Sequence, residues 1–219
     1  LPPSTFHLPP SPWYNEHIML LTPRIDEALK LASRLHRTHV RNDIHRTPYI
    51  SHLMSVAMLI ESVTDDEDTI IAGLMHDALE DVPGYTYEQL VEDCGIRVAE
   101  IVKHVTEPLD PNKNDDEQLP WLQRKEVYLQ MLRSGNTQSV IVSAADKIHN
   151  TESFLRDAEK EGIMFVARFG SSIRNRLWFH KQVLAHVQEV LGDDNFLTQR
   201  FITCTIDFEN IVDLYQTTS

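Results

Sequence analysis

Four acidic or imidazole side chains crowd into one short segment, HDALED: His76, Asp77, Glu80 and Asp81. Read as a continuous helix at about 100° per residue, they fall within an arc of roughly 140°. Ordinary amphipathicity does not require two potential ligands and two further carboxylates on one face. Three carboxylates held together repel one another and lose solvation, and a bound dication would offset both costs. The alternative is that Glu80 and Asp81 belong to a solvated helix end and His76 is a satisfied buried histidine. Two more residues extend the set. His52 stands in PYISHLMSVA, where a core position would normally be Leu or Ile. Asp146 follows the apolar run VIVSAA at 140–145, which draws its carboxylate inward. Buried carboxylates are rarely left unpaired, and Lys147 or Asn150 offers Asp146 a partner that needs no metal.

The elements that must position these groups read as helices. Thr22-Pro23 is an N-cap followed by proline at the first helical position, leading into RIDEALKLASRLHR. Pro48 is expected to open a second helix, PYISHLMSVAMLIESV. Acidic residues Asp65 to Asp68 suit the first turn of a third, running unbroken through TIIAGLMHDALED to a stop at Pro83-Gly84. Thr86 caps YEQLVEDC, Gly95 follows its end, and IRVAEIVKHVT is another short helix. Pro108–Pro120 is polar and proline-bounded, hence a loop. Helical stretches follow at Trp121–Arg133, Thr137–Asn150, roughly Ser171–Leu191, and Asn195–Tyr215. SVIVSAA at 139–145 has strand-like β-branched content but no second good strand to pair with. No repeat at solenoid periods appears. The expected fold is all-α, a single domain of about eight to ten helices over residues 21–219, with residues 1–20 as an extended Pro-rich arm.

Composition bounds the partners. With 219 residues, 42% hydrophobic, the chain can bury a sizeable core, and no run of 18 apolar residues suggests a membrane span. Leu1–Pro12 has five prolines and neither the basic nor the apolar region of a signal peptide. Two cysteines, Cys94 and Cys204, without C-x-x-C spacing point to a reducing cytoplasm. A net charge of −13 argues against nucleic acid and anionic lipid as partners. Against that background Arg34 to Arg46 concentrates four arginines and three histidines with one acid, Asp43. Such a segment suits either a small polyanion or a solvated helix end and loop. Oligomeric state is not legible.

Three blocks together resemble the HD phosphohydrolase superfamily, and within it the alarmone hydrolases: Arg41 to His52 (RxxxxxxPYISH), HDALED, and ADKIHN from Ala145 to Asn150. The resemblance spans about residues 25 to 190. The length leaves no room for a synthetase or regulatory domain, so the stand-alone small hydrolases are the closer match. The resemblance implies an HD-type helical domain with His52, His76, Asp77 and Asp146 as metal ligands. Mixed N/O ligation fits Mn²⁺, and ligand type alone also admits Fe²⁺, Zn²⁺ or Co²⁺. Glu80 and Asp81 match the family's catalytic pair, which would orient the attacking water and relay its proton. The implied reaction is removal of the 3′-pyrophosphate from a guanosine or adenosine 5′-di- or triphosphate 3′-diphosphate, releasing pyrophosphate and a simple nucleotide.

For substrate contacts, Arg41 matches a phosphate- or base-contacting arginine and Asn150 a residue near the ribose. Asn42, Arg46 and Lys147 belong to the same blocks. Arg174 and Trp178, at i and i+4, resemble an Arg plus aromatic pair that encloses the nucleotide, although an arginine stacked on a half-buried Trp would look the same. Two positions depart from the family pattern. Asn42 stands where a lysine is usual, and Arg46 where a glycine usually precedes T-P-Y. The choice between guanine and adenine therefore stays open. Two competing readings are an HD phosphohydrolase acting on another nucleotide phosphoester, and a regulator that binds an alarmone without turning it over. Intact Glu80 and Asp81 speak against the second.

Overall fold

A computed structural model describes residues 21–108, 119–169 and 172–218, with side chains through 215. The expected N-terminal arm lies outside the described residues, as does most of the proline-bounded loop. Eleven helices occur among the described residues: α1 Pro23–Leu35, α2 Ile50–Glu61, α3 Glu67–Met75, α4 Ala78–Asp81, α5 Tyr87–Cys94, α6 Ile96–Lys103, α7 Trp121–Ser134, α8 Thr137–Glu161, α9 Ile163–Ala167, α10 Ser172–Leu191 and α11 Phe196–Thr218. One isolated antiparallel bridge, Val40 to Pro48, is the sole extended pairing among them.

The local signals explain several boundaries. Thr22 Oγ1 accepts from the Ile25 amide and Pro23 occupies the first turn of α1. Thr86 and Gln89 form a reciprocal capping box on α5, and Gly95 at φ 93° ends it. Three expectations need correction. Pro48 does not open α2: it pairs with Val40, and the helix begins at Ile50. The segment 139–150 is the first half of a 25-residue α8, because no breaker occurs before Gly162 at φ 72°. The third helix is not continuous, and α3 ends at Met75, just before His76.

Helix α3 lies at the centre, every residue from Thr69 to Met75 buried, packed against α1, α2, α6 and α8. Gly73 allows that approach, since a Cβ there would run into the Ile60 side chain. The apolar run of α8 faces the same core, with Val140, Val142, Ala144 and Ala145 buried. A second, smaller cluster joins Phe165, Val166, Ile173, Leu177, Phe208 and Val212 beyond the far end of α8. Among the described residues no helix is long and apolar enough to cross a membrane. Cys94 and Cys204 are both free.

Candidate metal centre and active site

The helix break puts the chemistry in place. His76 closes α3 and Asp77, at φ −93° and ψ 0°, precedes α4, so the two residues form a turn between helices. No glycine or proline marks this break. It is held by polar contacts instead, one tertiary and one local: Tyr49 Oη donates to Asp77 Oδ2 at 2.7 Å, and His76 Nδ1 meets the Gly73 carbonyl three residues back at 2.8 Å. The single 140° face is therefore not how the groups meet, yet they do meet.

His52 on α2 and His76 turn their Nε2 atoms toward Asp146 on α8. The separations to Asp146 Oδ1 are 3.3 Å and 3.6 Å, and to Asp77 Oδ2 3.5 Å and 3.1 Å. Both Nε2 atoms are buried without a hydrogen bond of bonding geometry, an expensive state for a polar atom. Their other ring nitrogens are occupied. A carbonyl can only accept, so His76 Nδ1 carries a proton, and Nε2 is the nitrogen whose lone pair becomes available when the ring is neutral. His52 Nδ1 faces His149 Nδ1 at 2.8 Å. His149 is kept neutral, its pKa pushed down to about 4 by burial and by the neighbouring His52 and Arg41. Ligand atoms of His52, His76 and Asp146 all lie within 4.8 Å of one another, a donor set that fits a divalent cation.

The electrostatics describe the protein with no cation bound. Burial opposes charge on His76, but the Asp77 and Asp146 carboxylates hold its pKa well above the usual histidine range. Burial likewise pushes Asp77 and Asp146 up; His76 overrides it for the first, and Lys147 with both imidazoles for the second, leaving both well below the usual carboxylate range. A dication there would take the place of the imidazole proton.

A cavity of about 200 Å³ opens beside this centre, lined among others by Asp77, Glu80, Asp81, Lys125, Asp146 and Lys147. Burial and the Asp77 charge push the Glu80 carboxyl up to about 7, while the Glu107 amide donates to its Oε2 at 3.0 Å. Asp81 keeps accessible surface at the cavity mouth, but burial of its carboxyl and the nearby Asp77 raise it as well. Lys147 donates to Asp146 Oδ2 and Asn150 to Asp146 Oδ1, so the metal-free partners expected for Asp146 are both engaged while its Oδ1 still faces the imidazoles. Glu107, buried, accepts from Arg124 at 2.6 Å and from Lys125.

A larger groove of about 740 Å³ adjoins the cavity, and Tyr49, Lys125, Lys147 and Asn150 line both. Arg41 and Asn42 line the groove, and Arg41 Nη2 donates to Asn150 Oδ1 at 2.7 Å. Arg46, Arg174 and Trp178 line neither. Arg176 and Phe179 on the same helix stand in the groove instead, while Trp178 packs against the main core. Arg46 has φ 50°, the left-handed region that suits glycine, which gives a backbone reason for the glycine usual there. Tyr49, His149, Glu107 and Lys125 also belong to this site and are not among the residues expected from sequence. Tyr49 lies within PYISH and His149 within ADKIHN, and Lys125 stands with Trp121 and Tyr128 at helical spacing. Glu107 had no local signal.

The model of the HD domain matches residues 28–177. The guanosine-3′,5′-bis(diphosphate) 3′-pyrophosphohydrolase of Spiroplasma citri is 28% identical over 197 residues, 89% of this chain and 25% of that protein. The MESH1 protein of Xenopus tropicalis, with the same activity name, is 32% identical over 136 residues, 61% of this chain and 69% of its own length. The structure of a metazoan ortholog of SpoT, described as hydrolysing ppGpp, superimposes with a TM-score of 0.66 at 19% identity, covering 85% of this chain and 96% of that one. That likeness is one of fold.

Proposed function

Because the chain belongs to the HD-domain family, we propose that it is a metal-dependent hydrolase of nucleotide 3′-pyrophosphates, the alarmones (p)ppGpp or (p)ppApp. Water attacks the phosphorus attached to O3′, the P–O3′ bond breaks, O3′ gains a proton, and pyrophosphate leaves a nucleoside 5′-di- or triphosphate. The observation that carries this reading is the pair of buried, unsatisfied Nε2 atoms of His52 and His76 aimed at Asp146, with Glu80 and Asp81 alongside.

His52, His76, Asp77 and Asp146 would hold the cation, Mn²⁺ first among those that suit mixed N/O donors. Once bound, it supplies positive charge for the phosphoryl oxygens and a water of lowered pKa. Glu80, with its carboxyl near 7, exchanges a proton at neutral pH and serves as acid or base there. Asp81 orients the water from the cavity mouth. Lys147 and Lys125, at the junction of cavity and groove, face the phosphates, while Arg41 and Asn150 hold the sugar end. Two unpaired cysteines suit action in a reducing cytoplasm.

Product analysis tests the reading. Purified protein with Mn²⁺ is incubated with ppGpp, pppGpp, ppApp and pppApp, beside a metal-free control and a plain nucleoside triphosphate. Pyrophosphate is expected from 3′-pyrophosphorylated nucleotides alone, and only with metal. If all four stay intact while calorimetry shows the cation bound, the alarmone assignment is wrong.

A further inference from the structure

Two carboxylates line the groove, and they differ in what they hold. Asp43 commits both oxygens to Thr47, accepting from its amide at 2.9 Å and its hydroxyl at 2.6 Å. Asp157, on the outer half of α8, has no hydrogen bond or ion pair within the described residues. Its neighbour Arg156 turns to Ser153 and Glu152 rather than to Asp157. A groove-lining carboxylate without a partner is an acceptor waiting for donors.

Helix α8 also acts as a ruler. Asp146, Asn150, Phe154 and Asp157 follow at intervals of four, four and three, which keeps them along one side. At 1.5 Å per residue, Asp157 stands about 16 Å along the axis from Asp146. Asp146 faces the two imidazoles and Asp157 lines the groove, so this side of the helix runs from the candidate metal centre out along the groove. Phe154 lies between and lines the groove with an aromatic surface, buttressed by Phe165, Phe169 and Phe208. Across the groove Arg41 is tied to Asn150.

We propose that Asp157 reads the base of the substrate and that this base is guanine. Guanine carries N1–H and an exocyclic amino group side by side, two donors that one carboxylate accepts together. Adenine presents a lone pair at N1, which a carboxylate repels. Asn42, also in the groove, has both donor and acceptor and favours neither. This inference rests on the proposed alarmone hydrolysis and fixes the substrate that the sequence left open.

The test compares kcat/KM for ppGpp and ppApp with Mn²⁺ in the wild type, Asp157→Asn and Asp157→Ala. Calorimetry of GDP and ADP binding runs beside it. The wild type is expected to favour guanosine by roughly tenfold or more, and both variants to lose about tenfold of that preference, more in KM than in kcat. A wild-type preference for adenosine, or a ratio unchanged within about twofold in both variants, overturns it. If neither alarmone is cleaved, the hydrolase reading fails on its own, and nucleotide binding still decides the base. Tighter GDP binding that Asp157→Ala erases supports the subsite; equal affinities, or a GDP preference that survives the change, refute it.

Discussion

The two halves of α8 hold their polar groups by opposite means. In the inner half Asp146 is buried among Val142, Ala144, Ala145 and Ile148, and it is gripped by Lys147, Asn150 and two imidazoles. In the outer half Glu152 and Arg156 stand near the surface in contacts that water can replace, and Asp157 lines the groove without a partner among the described residues. Charges in the inner half are stabilised only by partners in fixed places, because solvent cannot substitute for them. Fixed places are what bond breaking needs, and replaceable ones suit the selection of a substrate. The difference teaches where a change should abolish chemistry and where it should only alter preference.

The largest effect that would sharpen this contrast is Asp146→Asn. It removes a charged donor from the metal centre and leaves Lys147 without its partner carboxylate. Mn²⁺ affinity should fall at least about a hundredfold and turnover about a thousandfold, read by calorimetric titration and steady-state kinetics. Asp157→Asn should leave Mn²⁺ affinity within about threefold. Equal losses of metal at the two positions would erase the distinction.

The second effect separates stability from chemistry. Phe208 packs against Phe154 and His180 and belongs to the smaller cluster beyond α8. Phe208→Ala should cost about 3–5 kcal/mol in a urea titration, while Mn²⁺ affinity of the folded protein stays within about threefold. A collapse of metal binding in the still-folded variant would mean that the outer cluster sets the inner site.

The third uses Glu80, which belongs to the inner region though it sits on α4. Its folded carboxyl titrates near 7 and its unfolded one near the ordinary 4.5. Between those values the folded state keeps a proton that the unfolded state has released, so stability falls as pH rises through the window. Glu80→Gln has no such proton. In EDTA, its stability relative to wild type should rise by up to about 3 kcal/mol from pH 4.5 to 8, or roughly 5 °C or more in Tm. A constant difference across that range would show that Glu80 is not held protonated by burial.

How much of this was legible follows the same division. Caps at Thr22 and Thr86, and the blocks holding His52, His76, Asp77 and Asp146, are local patterns whose physics acts within a few residues. The break at His76-Asp77 was hidden, because AGLMHDALED contains no residue that must end a helix at that point. Contacts from Tyr49 and the imidazoles impose it over long sequence separations. Glu107 was invisible for the same reason: its amide reaches Glu80 across 27 residues. On α10 the aromatic-plus-arginine expectation fell on Arg174 and Trp178. Two residues of helical rotation are about 200°, enough to place Arg176 in the groove instead. Local patterns can name candidate chemical groups, whereas packing sets which side of a helix faces the groove.

The smallest effect probes the outer half where it looks best ordered. Arg200 on α11 donates from Nε and Nη2 to the two oxygens of Glu152 at 2.6 Å and 2.8 Å, a bidentate pair closing α11 onto α8. Arg200 holds the Glu152 carboxyl below its usual range against a smaller opposing push from burial. The pair thus contributes stability above the ordinary carboxylate pKa and loses it as pH falls. Yet 38% of the Arg200 side chain and 21% of the Glu152 side chain remain exposed, so solvent screens the attraction. Arg200→Lys keeps the charge and loses the fork, and should cost under about 1 kcal/mol at low salt and almost nothing at about 1 M. Urea midpoints at the two salt concentrations measure this. A loss above about 2 kcal/mol that survives high salt would make this pair as fixed as Asp146, and the outer half of α8 could no longer be the adjustable one.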